Sequence, residues 1–362
     1  MPAGLLELSV IVPTFNERDN VVPLVERLQS ALSPLAWEVI FVDDDSPDGT
    51  ADEIRAVAQD DRRVRCIQRV GRRGLSSAVL EGMLATSAPY LAVLDGDLQH
   101  DETLIPRMLD RLKQDSLDIV IGSRYMPGGA TGDWSPRRAA LSRLATRFAR
   151  LVVSSELTDP MSGFFVITRS SFNRAVHRTS GQGFKILIDL LASSPTPLRF
   201  AEIPYTFRER QRGMTKLETP VVWQYLMLLV EKLTGRSLPV RFVLFAAVGA
   251  CGLVVHLATL RLMLTAFGFS FSQVAATAMS MVSNFSINNA LTYRDRRLRG
   301  TRFLTGLLTF CAICSIGAVA NVRLATQIFE RHYEWWLSGL AGAAASVVWN
   351  YTVTSLFTWS TE

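Results

Sequence analysis

The sequence predicts an α/β domain with a mostly parallel, doubly wound sheet, followed by an all-α transmembrane domain of four helices. Three observations carry this expectation. Short β-branched runs alternate with helix-length stretches through the first half of the chain. Four of those runs end in dense polar clusters. Beyond residue 236 charge almost vanishes: Arg261 is the only Asp, Glu, Lys or Arg from Phe242 to Thr292, Arg323 the only one from Phe303 to Phe329, and Leu337–Trp359 has none. A chain of 362 residues has room for both domains, and 48% hydrophobic residues is high for a soluble protein.

In order, strands are expected at Leu8–Phe15, Glu38–Val42, Val64–Val70, Tyr90–Leu94, Asp118–Gly122 and Gly163–Thr168. Helices are expected at Val21–Leu32, Thr50–Ala58, Leu75–Ala85 and Leu104–Leu112. The clusters PTFNE (13–17), DDDSPDGT (43–50), DGDLQ (95–99) and GSRY (122–125) follow strands, where sheets of this kind bind ligands. The loop LDGDLQHD sets Asp95, Asp97 and Asp101 close together, and such charge is tolerable as a solvated turn or around a cation. Asp95 and Asp97 with Gln99 suit a hard divalent ion shared with substrate phosphates, Mg²⁺ or Mn²⁺. The carboxylates of DDDSPDGT suit the base edge and ribose of a nucleotide.

Residues 137–152 place Leu141, Leu144, Phe148 and Leu151 on one helical face, with Arg137, Arg138, Arg143, Arg147 and Arg150 around it. This is the pattern of an interfacial basic helix, and equally of a globular core helix; the apolar C-terminal half favours the former, over about 137–153. Residues 221–230 are apolar but too short to span, so 217–236 is read as a second, juxtamembrane interfacial helix. Spans are expected near 242–264, 270–291, 303–322 and 337–357. Arg294, Arg296, Arg297, Arg299 and Arg302 lie between the second and third against one Asp295, which puts that loop, both termini and the catalytic domain in the cytoplasm of a cell-membrane protein. The opening MPAGLLELSV lacks a basic n-region and is not read as a secretory signal. Cys66, Cys251, Cys311 and Cys314 are read as unpaired, the last two as packing residues despite their CxxC spacing. Nothing in the net charge of +5 points to nucleic acid.

Taken in order, PTFNE, DDDSPDGT, DGDLQHD, GSRY, DPMSGFF (159–165) and IPYTFRERQRGMTKL (203–217) resemble the polyprenol (dolichol) phosphate mannose synthases of glycosyltransferase family 2. The resemblance covers about residues 8–217. RFVLFAAVG, NFSINNALTYR and WNYTVTSLFTW within 241–359 resemble the four-helix GtrA-like membrane module of some of these enzymes. It implies a GT-A fold over 1–216, a membrane module over 237–362, and inverting transfer of mannose from GDP-mannose to a polyprenyl phosphate. It also implies roles: Pro13, Phe15, Glu17, Asp44, Asp95 and Lys216 for the nucleotide; Asp95, Asp97 and Gln99 for the metal; Arg124, Ser135, Arg137 and Arg210 for the acceptor phosphate; Asp97, Arg124 and Arg210 for catalysis. Ser76 stands where the family pattern has a second Gly, and Met214-Thr215 where Ser commonly precedes the Lys.

Two rivals are weighed. One is a UDP-glucose or other nucleotide-sugar transferase of the same class. The other is a lipid-linked-sugar flippase with a regulatory N-terminal domain, against which the intact DGD, Gln99 and Arg210 argue. A processive polysaccharide synthase would show QxxRW, which residues 200–240 lack.

Overall fold

The computed structural model describes residues 5–132, 142, 145–150, 152–153, 156–181, 183, 185–208, 225, 227–232, 239–331 and 335–359. They form two units, Met1–Gly235 and Arg236–Glu362.

The first unit is built on a seven-stranded sheet: β1 (Leu8–Thr14), β2 (Trp37–Asp43), β3 (Val64–Gln68), β4 (Tyr90–Val93), β5 (Ile119–Ser123), β6 (Phe165–Thr168) and β7 (Phe200–Pro204), in the order β3-β2-β1-β4-β6-β5-β7. All pairings are parallel except those of β6, which runs against β4 and β5. Strands β1, β2 and β5 are buried on both faces, as continuous apolar runs require, and helices cover them. On one face α1 (Val21–Leu32), α2 (Thr50–Asp60) and α4 (Ile105–Gln114) cover a core including Val10, Leu28, Phe41, Ile54, Met108 and Phe164. On the other, α3 (Leu75–Leu84), α5 (Arg169–Val176) and α6 (Ile186–Ser193) enclose Ile11, Val79, Leu91, Phe165, Phe172 and Leu187.

Register brings the polar clusters to one edge. Thr14 lies opposite Asp43, and Asp43 opposite Gln68. Ile11 lies opposite Val93, so Asp95 emerges beside the end of β1. Six strands and four helices stand within a few residues of the expected places; β7, α5 and α6 are additional.

The segments expected to be interfacial, about 137–153 and 217–236, have a described part. Tyr225, Leu228 and Leu229 are buried with Ala149 and Ile188, Tyr225 Oη donates to Ala145 O at 2.6 Å, and Lys232 Nζ lies 2.6 Å from the buried Asp189 carboxylate. These described residues pack within the first unit, while Phe148 is exposed.

The second unit comprises α7 (Val240–Met263), α8 (Phe269–Ile287), α9 (Thr301–Glu330) and α10 (Trp335–Phe357). Among the described residues, Val240–Met263 and Thr301–Val319 are long and apolar enough to cross a membrane. The helices form two hairpins that repeat one pattern. Residues 280–293 read SMVSNFSINNALTY and 346–359 read SVVWNYTVTSLFTW, alike in character at most positions, though Ser283 stands against Trp349. The contacts repeat too. A Cβ added at Gly252 would lie 2.2 Å from Asn284 Oδ1, and one at Gly317 2.3 Å from Asn350 Oδ1. Tyr293 N donates to Asn288 O at 2.8 Å, and Trp359 N to Thr354 O at 3.2 Å, the same five-residue turn at both helix ends. Phe303 packs on Phe285 as Phe242 packs on Tyr351.

Candidate active site

Most of the carboxylates in DDDSPDGT are spent on building the loop. Asp43, fully buried, accepts from Thr14 Oγ1 at 3.2 Å and from Ser46 N and Oγ at 2.9 and 2.5 Å. Asp45 accepts from Gln68 Nε2 at 2.7 Å. Asp48 accepts from Thr50 N at 3.0 Å and Oγ1 at 2.6 Å at the start of α2, and from Arg18 N at 3.3 Å. Burial opposes the Asp48 charge, but these hydrogen bonds prevail and hold its carboxyl below the usual range. Gly49 makes this turn with φ 86°.

Asp44 faces the other way. Its Oδ2 accepts from Gly74 N at 2.6 Å, and its Oδ1 lies 3.0 Å from Nη1 of the buried Arg69. Burial raises the Asp44 carboxyl above its ordinary value, against the pull of the Gly74 N–H and Arg69. Arg69 also reaches Glu81 at 3.3 Å. Beside this group Arg73 lies over the Phe15 ring at 4.5 Å, a flat cationic surface next to Pro13 and Glu17.

The DGD loop is held from behind by His100. Asp95 N donates to His100 Nδ1 at 3.0 Å, so that nitrogen carries no proton. The ring is buried, stacked on Phe164 at 5.3 Å and met edge-on by Tyr205 and Phe207 at 5.9 and 5.6 Å. Burial pushes the His100 pKa down, keeping the imidazole neutral. Asp95 projects from the loop with Gly163 against it: a Cβ there would stand 3.2 Å from Asp95 Oδ2. Asp97 Oδ1 accepts from Gln99 N at 3.2 Å. Gln99 in turn clamps the chain leaving β7, since Arg208 N donates to Gln99 O and Gln99 Nε2 to Arg208 O, each at 2.9 Å. Arg208 closes the clamp on Glu102 at 2.7 Å and Asp101 at 2.8 Å.

This donor set fits a divalent cation. Burial raises the Asp95 carboxyl, and the Asp97 charge adds to that, while His100, Lys185 and Arg124 oppose it. A cation held by Asp95 and Asp97 would relieve that cost. Two carboxylates and the Gln99 amide oxygen form a hard, all-oxygen set suited to Mg²⁺ or Mn²⁺.

Across the sheet end lies Arg124. Its Nε and Nη2 donate to Asp159 Oδ2 and Oδ1 at 2.7 and 2.8 Å, and its backbone N to Oδ2 at 3.1 Å. Burial alone would lower its pKa, but the Asp159 carboxylate raises it. Glu202 on β7 fixes the preceding turn, accepting from Thr158 N at 2.9 Å and Asp159 N at 3.0 Å.

Residues 9–175 match the Glycosyl transferase family 2 model, and residues 244–359 match the GtrA/DPMS transmembrane domain. Over 359 residues, 98% of this chain and 100% of the relative, identity to the dolichol-phosphate mannosyltransferase of Pyrococcus furiosus is 32%. The chain belongs to the dolichol-phosphate mannosyltransferases. Another member of that family, from Saccharomyces cerevisiae, is 40% identical over 236 residues, 62% of this chain and 86% of its own. The polyprenol monophosphomannose synthase of Mycolicibacterium smegmatis is 33% identical over 216 residues, 58% of this chain and 80% of its own. As a member of the family, the chain is a glycosyltransferase with a GT-A-like catalytic domain and a membrane domain.

Within the chain the expected residues fall into three groups. Pro13, Phe15, Glu17 and Asp44 gather at the ends of β1 and β2, and Asp95, Asp97 and Gln99 lie after β4. Arg124 follows β5 directly, beside Asp159. Ser135, Arg137, Arg210 and Lys216 lie outside the described residues. Ser76, at the departure from the family pattern, is fully buried, with its N–H donating to Gly183 O at 3.1 Å. Sequence reading missed Arg69, Arg73, Asp159 as the partner of Arg124, Lys185 and the Arg208 clamp. DPMSGFF and FRER carried the signal for Asp159 and Arg208, whereas Arg69 and Lys185 stand in stretches with none.

Proposed function

We propose that the enzyme transfers mannose from GDP-mannose to a polyprenyl (dolichyl) monophosphate with inversion, giving a lipid-linked sugar donor. The observation that carries this reading is the DGDLQ loop, oxygen-rich and clamped through Gln99 to the segment that leads two residues later to Arg210. The full-length relative and the basic residues expected around the acceptor support it.

In this reading Phe15, Pro13, Glu17 and Asp44 hold the nucleoside, and Asp95, Asp97 and Gln99 would hold Mg²⁺ or Mn²⁺ against the diphosphate. The bound cation supplies charge neutralisation to the departing diphosphate. The acceptor phosphate, with a second pKa near 6, is largely dianionic at neutral pH and needs no general base. Its oxygen attacks the anomeric carbon as the bond to the diphosphate oxygen breaks, and both electrons leave with GDP. His100 is excluded as a base, because its Nδ1 already accepts the Asp95 N–H inside an aromatic cage. Arg137, Arg210 and Lys216 screen the approach of one anion to another, with Ser135 beside them. Arg124 orders the Asp159–Gly163 turn behind Asp95 and adds its charge to the acceptor side.

The four helices are proposed to cross the bilayer, with the catalytic domain and both termini in the cytoplasm, on the arginine-loop side. The segments around 137–153 and 217–236 are proposed to lie in the interface on their uncommitted faces.

Purified protein is incubated with polyprenyl phosphate, Mn²⁺ and either GDP-mannose or UDP-glucose, and the lipid product is weighed by mass spectrometry. Mannosyl lipid from GDP-mannose, abolished in Asp97→Ala, is the expected result. Glucosyl lipid, or full turnover of Asp97→Ala at saturating Mn²⁺, overturns the donor or the metal assignment respectively.

A further inference from the structure

The segment joining the two membrane hairpins is a folded loop rather than a slack tether. Asn289, buried beyond the end of α8, bridges it: its Nδ2 donates to Leu298 O at 3.1 Å, and its Oδ1 accepts from Leu298 N at 2.8 Å. The same oxygen accepts from Trp359 Nε1 at 3.2 Å, so the last residue of the second repeat holds the loop as well. Tyr293 stacks flat on Trp359, with centroids 4.0 Å apart and planes 5° from parallel. Arg296 Nη1 donates to Trp359 O at 3.2 Å. Gly300, at φ 57°, turns the chain into α9.

This frame displays Arg294, Arg297, Arg299 and Arg302, all exposed. Among the described residues Arg294, Arg297 and Arg299 form no ion pair, and Asp295 is the only acidic residue from 293 to 302. A topological signal asks only for positive charge near the helix ends, which an unstructured linker supplies equally well. Fixing like charges in one loop costs repulsion that a slack chain would avoid, and an anion among them offsets it. Guanidinium forks match phosphate oxygens in pairs. The Tyr293–Trp359 stack is buried, and it fixes the loop to the ends of α8 and α10. We infer that the folded loop Arg294–Arg302 is a binding site for the phosphodiester headgroups of anionic bilayer lipids. The phosphodiester is favoured over the acceptor's monoester because the exposed arginines are spread along the loop, as for several headgroups, rather than converging on one buried phosphate.

The test uses the full chain in micelles holding equal phosphatidylglycerol and phosphatidylcholine, with a parallel sample containing polyprenyl phosphate. Native mass spectrometry reads which lipid stays bound. Wild-type protein is expected to retain phosphatidylglycerol about tenfold over phosphatidylcholine, since each arginine near a charged lipid surface contributes severalfold. Arg294→Gln/Arg297→Gln/Arg299→Gln, all exposed changes, is expected to lose that preference. Trp359→Phe keeps every arginine and an aromatic ring but deletes the Nε1 bond to Asn289, and is expected to weaken it at least threefold. The proposal is overturned if the arginine variant keeps the preference. It is overturned also if Trp359→Phe keeps all of it, which would mean diffuse attraction rather than a folded site. Retention of polyprenyl phosphate in place of phosphatidylglycerol likewise overturns it, by making the loop an acceptor site.

Discussion

Replacing Asp159 with Asn should cost the catalytic unit much of its stability before any effect on chemistry is read. The carboxylate is fully buried, and the Arg124 side chain is 9% exposed. Two guanidinium bonds and one backbone N–H converge on two oxygens. Asn leaves one oxygen and turns an NH₂ donor toward a guanidinium that can only donate. The result is a buried charge without its counter-charge, a loss of about 3–5 kcal/mol. For a unit of this size about 2–4 °C of Tm goes with each kcal/mol, so a fall of roughly 6–20 °C is expected. Thermal unfolding in detergent, followed by near-ultraviolet circular dichroism, measures it. Asp159→Leu/Arg124→Met should recover part of the loss, because it leaves no orphan charge. A shift of a degree or two in Asp159→Asn, with a raised acceptor KM, would refute the reasoning: the guanidinium would then serve substrate first and the fold second.

Gly163→Ala places a methyl 3.2 Å from Asp95 Oδ2 and 3.5 Å from His100 Cε1; metal-dependent donor affinity, measured by calorimetry, should fall roughly tenfold to a hundredfold while Tm holds. His100→Phe keeps the ring stack but strands the Asp95 N–H, costing about 1–3 kcal/mol. The His100 pKa is depressed in the folded protein, so its contribution is intact above the unfolded value near 6.5 and is lost as pH falls below it. The wild-type loss of Tm between pH 7.5 and 5 should therefore exceed that of His100→Phe. Gly252→Ala should destabilise the first membrane hairpin, as Gly317→Ala should the second, by about 1–3 kcal/mol each. Adding Asn284→Ala to Gly252→Ala should restore most of the thermal stability in detergent, because the three nearest atoms to the new methyl all belong to Asn284.

Legibility in the sequence followed the range of the interactions. The doubly wound sheet was readable because each strand announces itself over a few apolar residues and each helix by its own spacing. Helix α1 has the expected limits, and DGDLQ stands at a strand end as its sequence context requires. The antiparallel insertion of β6 was not readable, since GFFVIT has the same composition whichever way it runs. The partners of the site residues were not readable either. Arg124 meets Asp159 across 35 positions, and Gln99 meets Arg208 across 109. Such pairings are settled by topology, not by neighbouring residues. DDDSPDGT shows the opposite failure. Its four carboxylates within six residues suggest a ligand-facing cluster, yet Asp43, Asp45 and Asp48 are taken up by local hydrogen bonds that shape the turn.

The likeness of 280–293 to 346–359, with the same turn at each helix end and mirrored phenylalanine contacts, has a meaning for how such an enzyme came to be assembled. A hairpin returns the chain to the side from which it set out. Copying a hairpin in tandem therefore preserves the polarity of everything fused before it, whereas adding a single helix would reverse the side of all that follows. Parity, rather than any particular side chain, is what such a repeat conserves.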